Sequence, residues 1–340
     1  MNEGRSDDFK ECFAITHFFN PPRYLNLFEV VPGPNCKKEI LDFLLNYGEK
    51  FLGKTSVLAK DTPAFIGNRI GIFGIMSLFH QIKSGEYSVE EVDKLTGPAI
   101  GRPKSATFRT ADIAGLDTMC HVANGVYEKC KDDESREVFK LPDFLQKMLD
   151  NNMLGSKTGK GFYKKIKDNN GKSKILALDL NTFKYNEQKK VSYETLKNAR
   201  KCKKRDEKFK TLISGNDKAS EFYKENFARM FGYIQNRIPE ISNDITSIDA
   251  ALKTGFGWKD GPFEIWNYIG VKEGVELMKN FDLKPARWIN DMIKKNTNNF
   301  YRINNGFREY YDINSNSFNK IAGQDGFVIL KNTPENKVIW

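Results

Sequence analysis

The sequence predicts a short α/β unit, the last part of a doubly wound sheet, followed by mainly α-helical domains that occur twice. Three observations predict it. The first sixty residues alternate short apolar runs with a single helical pattern. Helical spacing dominates from Asp61 onward. A diverged internal match between residues 89–118 and 246–274 repeats the helical pattern.

In order along the chain, FAITHFF at Phe13 to Phe19 reads as a buried strand and LFEVV at Leu27 to Val31 as a second. Pro21 and Pro22 between them cannot continue a ladder, because proline has no amide hydrogen to donate. Cys36 to Leu52 has helical spacing, with Ile40, Phe43, Leu44 and Tyr47 on one face, and Thr55 to Ala59 returns as a short strand. A doubly wound nucleotide-binding domain needs about twice this length and opens with a strand, a glycine-rich turn and a helix. None of these precedes His17, so the unit reads as a remnant and the chain as truncated.

Pro63, at an expected first turn, leads into a long apolar helix reaching about Lys83. SVEEVDKL at Ser88 to Leu95 is a second helix, with Ser88 as cap and Glu91 three residues on as its capping-box partner. Further helical segments such as PDFLQKML extend to about Leu154. The expected divisions are an α/β part at 1–60, a first helical domain at 61–163, a lysine-rich and partly irregular connector at 164–215, a second helical repeat at 216–310, and a tail at 311–340 leading to a missing domain. Within the repeat, Asp93 and Asp249 each lie eight residues before a glycine, Gly101 and Gly257. Gly115 and Gly270 likewise each lie seven residues after a phenylalanine, Phe108 and Phe263. The Asn-Arg dipeptide at Asn236 does not fall in register with the one at Asn68.

Composition narrows the class. With 340 residues, 39% hydrophobic and 29% charged, the chain fits two or three globular units rather than a disordered or membrane protein. No run approaches about eighteen apolar residues, and MNEGRSDDFK mixes charges without an apolar core, so neither a span nor a secretory signal is expected and the cytoplasm is the expected compartment. Cys12, Cys36, Cys120, Cys130 and Cys202 show no paired or metal-ligand spacing, and no metal site is expected. The net charge of +10 fits either nucleic acid or phosphate-bearing small molecules, and decides nothing alone.

His17 and Glu29 stand twelve residues apart on the two candidate strands, with Arg23 midway. Antiparallel pairing places the two side chains opposite each other. A carboxylate beside an imidazole fixes its tautomer and favours the imidazolium formed on proton uptake, as a general base requires. On spacing alone, a core histidine with a satisfied partner remains open. His80 and His121 lie in helical patterns without ligand spacing. Phe222, Tyr223, Phe227, Phe231 and Tyr233 fall at helical spacing and read as core rather than a base-stacking platform. Gly48 to Thr55 fits the phosphate-loop spacing formally, but a helix precedes it and a strand follows, the reverse of a phosphate loop.

Three ordered motifs, THFFNPP with its later glutamate at Thr16 to Glu29, KDTPAFI and NR at Lys60 to Arg69, and GSKTGKGFY at Gly155 to Tyr163, closely resemble the 3-hydroxyacyl-CoA dehydrogenase family. The resemblance implies a Rossmann-type NAD-binding domain, of which the C-terminal part is present, followed by the family's helical C-terminal domains. It implies NAD-dependent oxidation of an L-3-hydroxyacyl-CoA, in fatty-acid β-oxidation, to the 3-ketoacyl-CoA. His17 would be the general base, Glu29 its orienting partner, Asn68 a hydrogen-bonding group for the substrate oxygen, and Asn20 a lining residue near the nicotinamide. The residues that hold NAD are not assigned, since the glycine-rich turn is absent. Where the family has glycine after KDTP this chain has Ala64, a change in backbone freedom. The repeat and connector resemble long bacterial forms with a crotonase-type enoyl-CoA hydratase domain, and the family's helical domain implies a homodimer. The implied partner is an acyl-CoA, with no nucleic acid and no membrane span. The alternative is a noncatalytic acyl-CoA-binding or assembly fragment without the NAD site.

Overall fold

The computed structural model describes residues 2–82, 85–167, 171–324 and 329–332. The chain divides into two compact units, one formed by Met1–Thr62, Phe227–Gly255 and Asp260–Trp340, the other by Pro63–Asn226 and Phe256–Lys259.

The first unit opens with α1 (Asp7–Glu11), capped where the Phe9 amide donates to Ser6 Oγ at 3.3 Å. β1 (Ala14–Phe18) and β2 (Leu27–Pro32) pair antiparallel; α2 (Lys38–Lys50) then crosses over to β3 (Thr55–Leu58), which pairs parallel to β2. β2 is the middle strand and is buried from Leu27 to Val31, which is why LFEVV is apolar on both faces except at Glu29. α2 sits close because Gly48 has no side chain: a Cβ there would lie 2.4 Å from Ser56 Oγ and 2.5 Å from the Phe28 ring. The Gly48–Thr55 segment is therefore a helix running into a strand, and Lys54 donates to the carbonyls of Pro22 and Leu25, tying down the loop after β1.

The second unit contains α3 (Gly67–Gln81), α4 (Val89–Thr96), α5 (Phe108–Ala114), α6 (Leu116–Lys129) and α7 (Asp143–Asp150). α3 begins four residues after Pro63, because Ala64 and Phe65 hold φ of +66° and +47°, outside the right-handed helical region. Its expected end at Lys83 lies outside the described residues. The Ser88–Glu91 capping box is formed. The segment 164–215, expected as a partly irregular connector, is more regular than that. It forms β4 (Tyr163–Lys167), β5 (Ser173–Leu178) and β6 (Tyr185–Glu187) in an antiparallel meander, then α8 (Glu194–Lys201) and α9 (Arg205–Ser214). Its sparse apolar residues are enough: Leu196, Ala199, Phe209 and Leu212 are buried while most of the lysines stay outside.

α10 (Lys218–Asn236) carries the five helically spaced aromatics, all buried. After it come α11 (Ile245–Gly255), α12 (Pro262–Ile269), α13 (Val271–Lys279), α14 (Arg287–Lys294) and a second meander, β7 (Tyr301–Asn304), β8 (Phe307–Asp312) and β9 (Ser317–Lys320). α11 packs on β2 and β3, so most of the later helical segment clusters with the α/β part instead of standing alone. The expected boundary at 310 also falls inside β8 rather than before a tail.

Each unit is closed by the same kind of polar junction. Asp93 on α4 accepts the amides of Thr107, Phe108 and Arg109, and the Tyr163 hydroxyl at 2.8 Å. Asp249 on α11 accepts the amides of Phe263 and Glu264, and the Tyr301 hydroxyl at 2.7 Å. Asp112 accepts Phe162 and Tyr163 amides as Asn267 accepts those of Phe300 and Tyr301. These side chains satisfy the free amides at the start of a helix and of a strand, groups that would be costly if buried without partners.

Candidate active site: a histidine and a buried glutamate on paired strands

β1 and β2 pair with Ala14 opposite Pro32 and Phe18 opposite Phe28, which sets His17 directly opposite Glu29. Directly opposed residues of an antiparallel pair project from the same face, so the two side chains meet. His17 Nδ1 lies 2.6 Å from Glu29 Oε2. An ionised carboxylate only accepts, so Nδ1 carries the hydrogen and Nε2 is the basic nitrogen of the ring. The Glu29 side chain is fully buried, whereas 31% of the His17 side chain is exposed. The carboxylate is thus fixed in the sheet while the imidazole reaches solvent, its ring edge-on to Phe19 at 5.2 Å between centroids. The geometry expected from the twelve-residue spacing is present.

Asn20 is exposed, two residues beyond the end of β1, in the loop held by Lys54. Asn68 belongs to the other unit, as the second residue of α3. It is half-buried, and among the described residues its side chain makes no intramolecular hydrogen bond. Its neighbour Arg69 has a structural task that the sequence did not disclose. The Arg69 guanidinium is fully buried, 2.6 Å from Asp133 and 2.8 Å from Cys130 Sγ, and so ties the start of α3 to the segment after α6. A wholly buried ion pair leaves no pattern in one sequence, since both partners look like surface charges. His80 Nε2 lies 3.1 Å from the Val138 carbonyl and 3.0 Å from that of Lys140, a packing role. Among the described residues no three histidine, cysteine or acidic side chains are grouped to hold a metal ion.

A strand-borne imidazole backed by a buried carboxylate, on the edge strand of an α/β sheet, is an arrangement able to take up a proton. The family model "3-hydroxyacyl-CoA dehydrogenase, NAD binding domain" matches residues 5–62 and "3-hydroxyacyl-CoA dehydrogenase, C-terminal domain" matches residues 65–165. Over residues 5–165 the chain is thus similar to both domains of the 3-hydroxyacyl-CoA dehydrogenase family. It is 46% identical over 312 residues to a probable 3-hydroxyacyl-CoA dehydrogenase of Bacillus subtilis, covering 92% of this chain and 39% of that protein. It is 28% identical over 338 residues to a putative fatty acid oxidation complex trifunctional enzyme of Rickettsia prowazekii, covering 98% of this chain and 43% of that protein. The chain therefore spans about two fifths of the length of these relatives. In fold it resembles the crystal structure of 3-hydroxybutyryl-CoA dehydrogenase from Escherichia coli, with a TM-score of 0.59, 17% identity, and coverage of 83% of this chain and 70% of that one.

Among the described residues of the α/β part, α2 follows β2 through a PGPNC segment rather than a glycine-rich turn, and Gly53 follows a helix.

Proposed function

We propose that the chain is the catalytic-base and helical part of an enzyme that oxidises the 3-hydroxyl of an L-3-hydroxyacyl-CoA to a ketone, with NAD as hydride acceptor, in fatty-acid β-oxidation. The observation that carries this reading is the His17–Glu29 pair, a buried carboxylate bonded to a solvent-reaching imidazole. His17 Nε2 takes the hydroxyl proton. Glu29 holds the ring and stabilises the imidazolium that results. By the family resemblance Asn68, whose amide is uncommitted among the described residues, takes the substrate oxygen, and Asn20 a place near the nicotinamide.

The parallel Asp93–Tyr163 and Asp249–Tyr301 junctions and the two meanders support descent of both helical segments from one duplicated unit. The name of the Rickettsia relative, a putative fatty acid oxidation complex trifunctional enzyme, supports a multidomain setting, and the crotonase-type domain rests on the sequence resemblance alone. A homodimer through the helical domain and a cytoplasmic location belong to the same reading; no helix among the described residues is long and apolar enough to cross a membrane. The test is His17→Ala in the full-length protein. Turnover of a 3-hydroxyacyl-CoA is expected to fall by roughly 10²-fold to 10⁴-fold with a smaller change in KM, the usual yield of general-base catalysis. Turnover equal to that of the wild type returns His17 to a packing role.

A further inference from the structure

The lysine-rich segment that reads as solvated surface in the sequence folds, in its second half, against the first helical domain. α8 packs beside the turn at Pro98–Ile100 that follows α4, and α9 packs on α8. Together they enclose a pocket of about 310 Å³ lined by Lys94, Pro98, Ala99, Leu196, Ala199, Arg200 and Lys208. All seven residues lie in one compact unit. The lining holds three cations and no acid. Among the described residues, neither Lys94, Arg200 nor Lys208 is engaged in an ion pair, although lysines elsewhere on the surface are.

Like charges crowded without counterions repel, so a pocket built this way is less stable empty than when an anion fills it. Lys208 registers the crowding. Burial, then the charges of Arg205, Lys259 and Arg200, hold its ammonium below the usual lysine range. The other wall is apolar: Leu196 and Ala199 are buried, and Pro98 and Ala99 complete a surface without charge. Cations on one side and an apolar floor on the other suit a ligand with clustered phosphates and a flat organic part. The volume is that of a small-molecule site, which are typically about 300–1,000 Å³. Nucleic acid would instead call for an open basic stripe with exposed aromatics, and this pocket has no aromatic lining.

We propose that this pocket binds a phosphate-bearing small molecule of the nucleotide class, with its phosphates on Lys94, Arg200 and Lys208 and its ring on Pro98, Ala99, Leu196 and Ala199. Two sources share that chemistry, a free nucleotide and the phosphorylated adenosine end of a coenzyme A thioester, the second of which rests on the proposed substrate. The test titrates the 340-residue chain with ADP, coenzyme A and pyrophosphate by calorimetry. ADP and coenzyme A should bind saturably and more tightly than pyrophosphate. The double variant Arg200→Gln and Lys208→Gln should weaken both at least about tenfold with an unchanged thermal midpoint, whereas His17→Ala leaves both as they were. Coenzyme A binding more than about tenfold tighter than ADP assigns the pocket to the thioester, and equal binding assigns it to a free nucleotide. Absence of saturation, or a double variant that binds as the wild type does, overturns the proposal. His17→Ala that loses turnover while binding here persists separates the two sites, so failure of either reading leaves the other standing.

Discussion

Glu29 is the only charged residue in the buried run of β2, and a lone carboxylate there is costly unless its partner is close. His17 at 2.6 Å supplies that partner, and under the proposed reading the pair is kept for proton transfer rather than for stability. Replacing Glu29 by Gln keeps a hydrogen-bonding side chain in place but removes the charge that favours the imidazolium. Turnover in the full-length protein should fall at least about tenfold with little change in KM, while the thermal midpoint holds or rises. A parallel loss of folding and activity would make Glu29 a structural residue only. The pair was legible in the sequence because strand period and loop length together fix a register. Arg69 was not, because burial of a charge depends on what arrives from sixty residues away. The bend at Ala64 and Phe65 left only an indirect mark, the glycine that the family has where this chain has Ala64, since neither residue present favours positive φ.

At the scale of elements, the signature GSKTGKGFY is explained by how closely it approaches α5. A Cβ on Gly161 would lie 2.0 Å from Asp112 Oδ1 and 2.6 Å from the Gly155 Cα, and Gly155 itself has φ of +93° with no room beside the Asp112 backbone. Backbone on one side and a bonded carboxylate on the other leave nothing that can give way. Gly161→Ala should therefore lower stability by about 2 kcal/mol or more, read as a fall in the urea midpoint with an unchanged slope. A variant as stable as the wild type would show that the Phe162–Tyr163 turn tolerates displacement. The capping box at Ser88 and the strands β1, β2 and β3 were readable from short-range rules. The meander and the two helices of 164–215 were not, because high lysine density masks a periodicity carried by only a few apolar residues.

Across the whole molecule the two helical segments solve one burial problem with two residue types, and the difference is testable. Asp112 accepts two backbone amides with two oxygens, whereas Asn267 accepts its two with Oδ1 alone. Burial pushes the Asp112 carboxyl up to about 6 from its ordinary 3.8, more than the Phe162 and Tyr163 amides and the Arg109 charge pull it down. A folded-state value raised in this way means that the folded protein holds the proton longer than the unfolded chain. The stabilisation from this group is complete below about pH 4 and is lost as pH rises to about 6, and it amounts to about 3 kcal/mol at most. An asparagine has no proton to lose, and Asn267 shows that the neutral side chain fits the same pair of amides. Asp112→Asn should accordingly be less stable than the wild type at pH 4 and gain on it steadily up to about pH 6, with no further relative change above that. Thermal midpoints of the two proteins measured side by side from pH 4 to 8 decide it. A difference that stays constant across the range would mean that the carboxyl titrates at the same pH in the folded and unfolded chains, and that the second segment's asparagine is a substitution without electrostatic consequence.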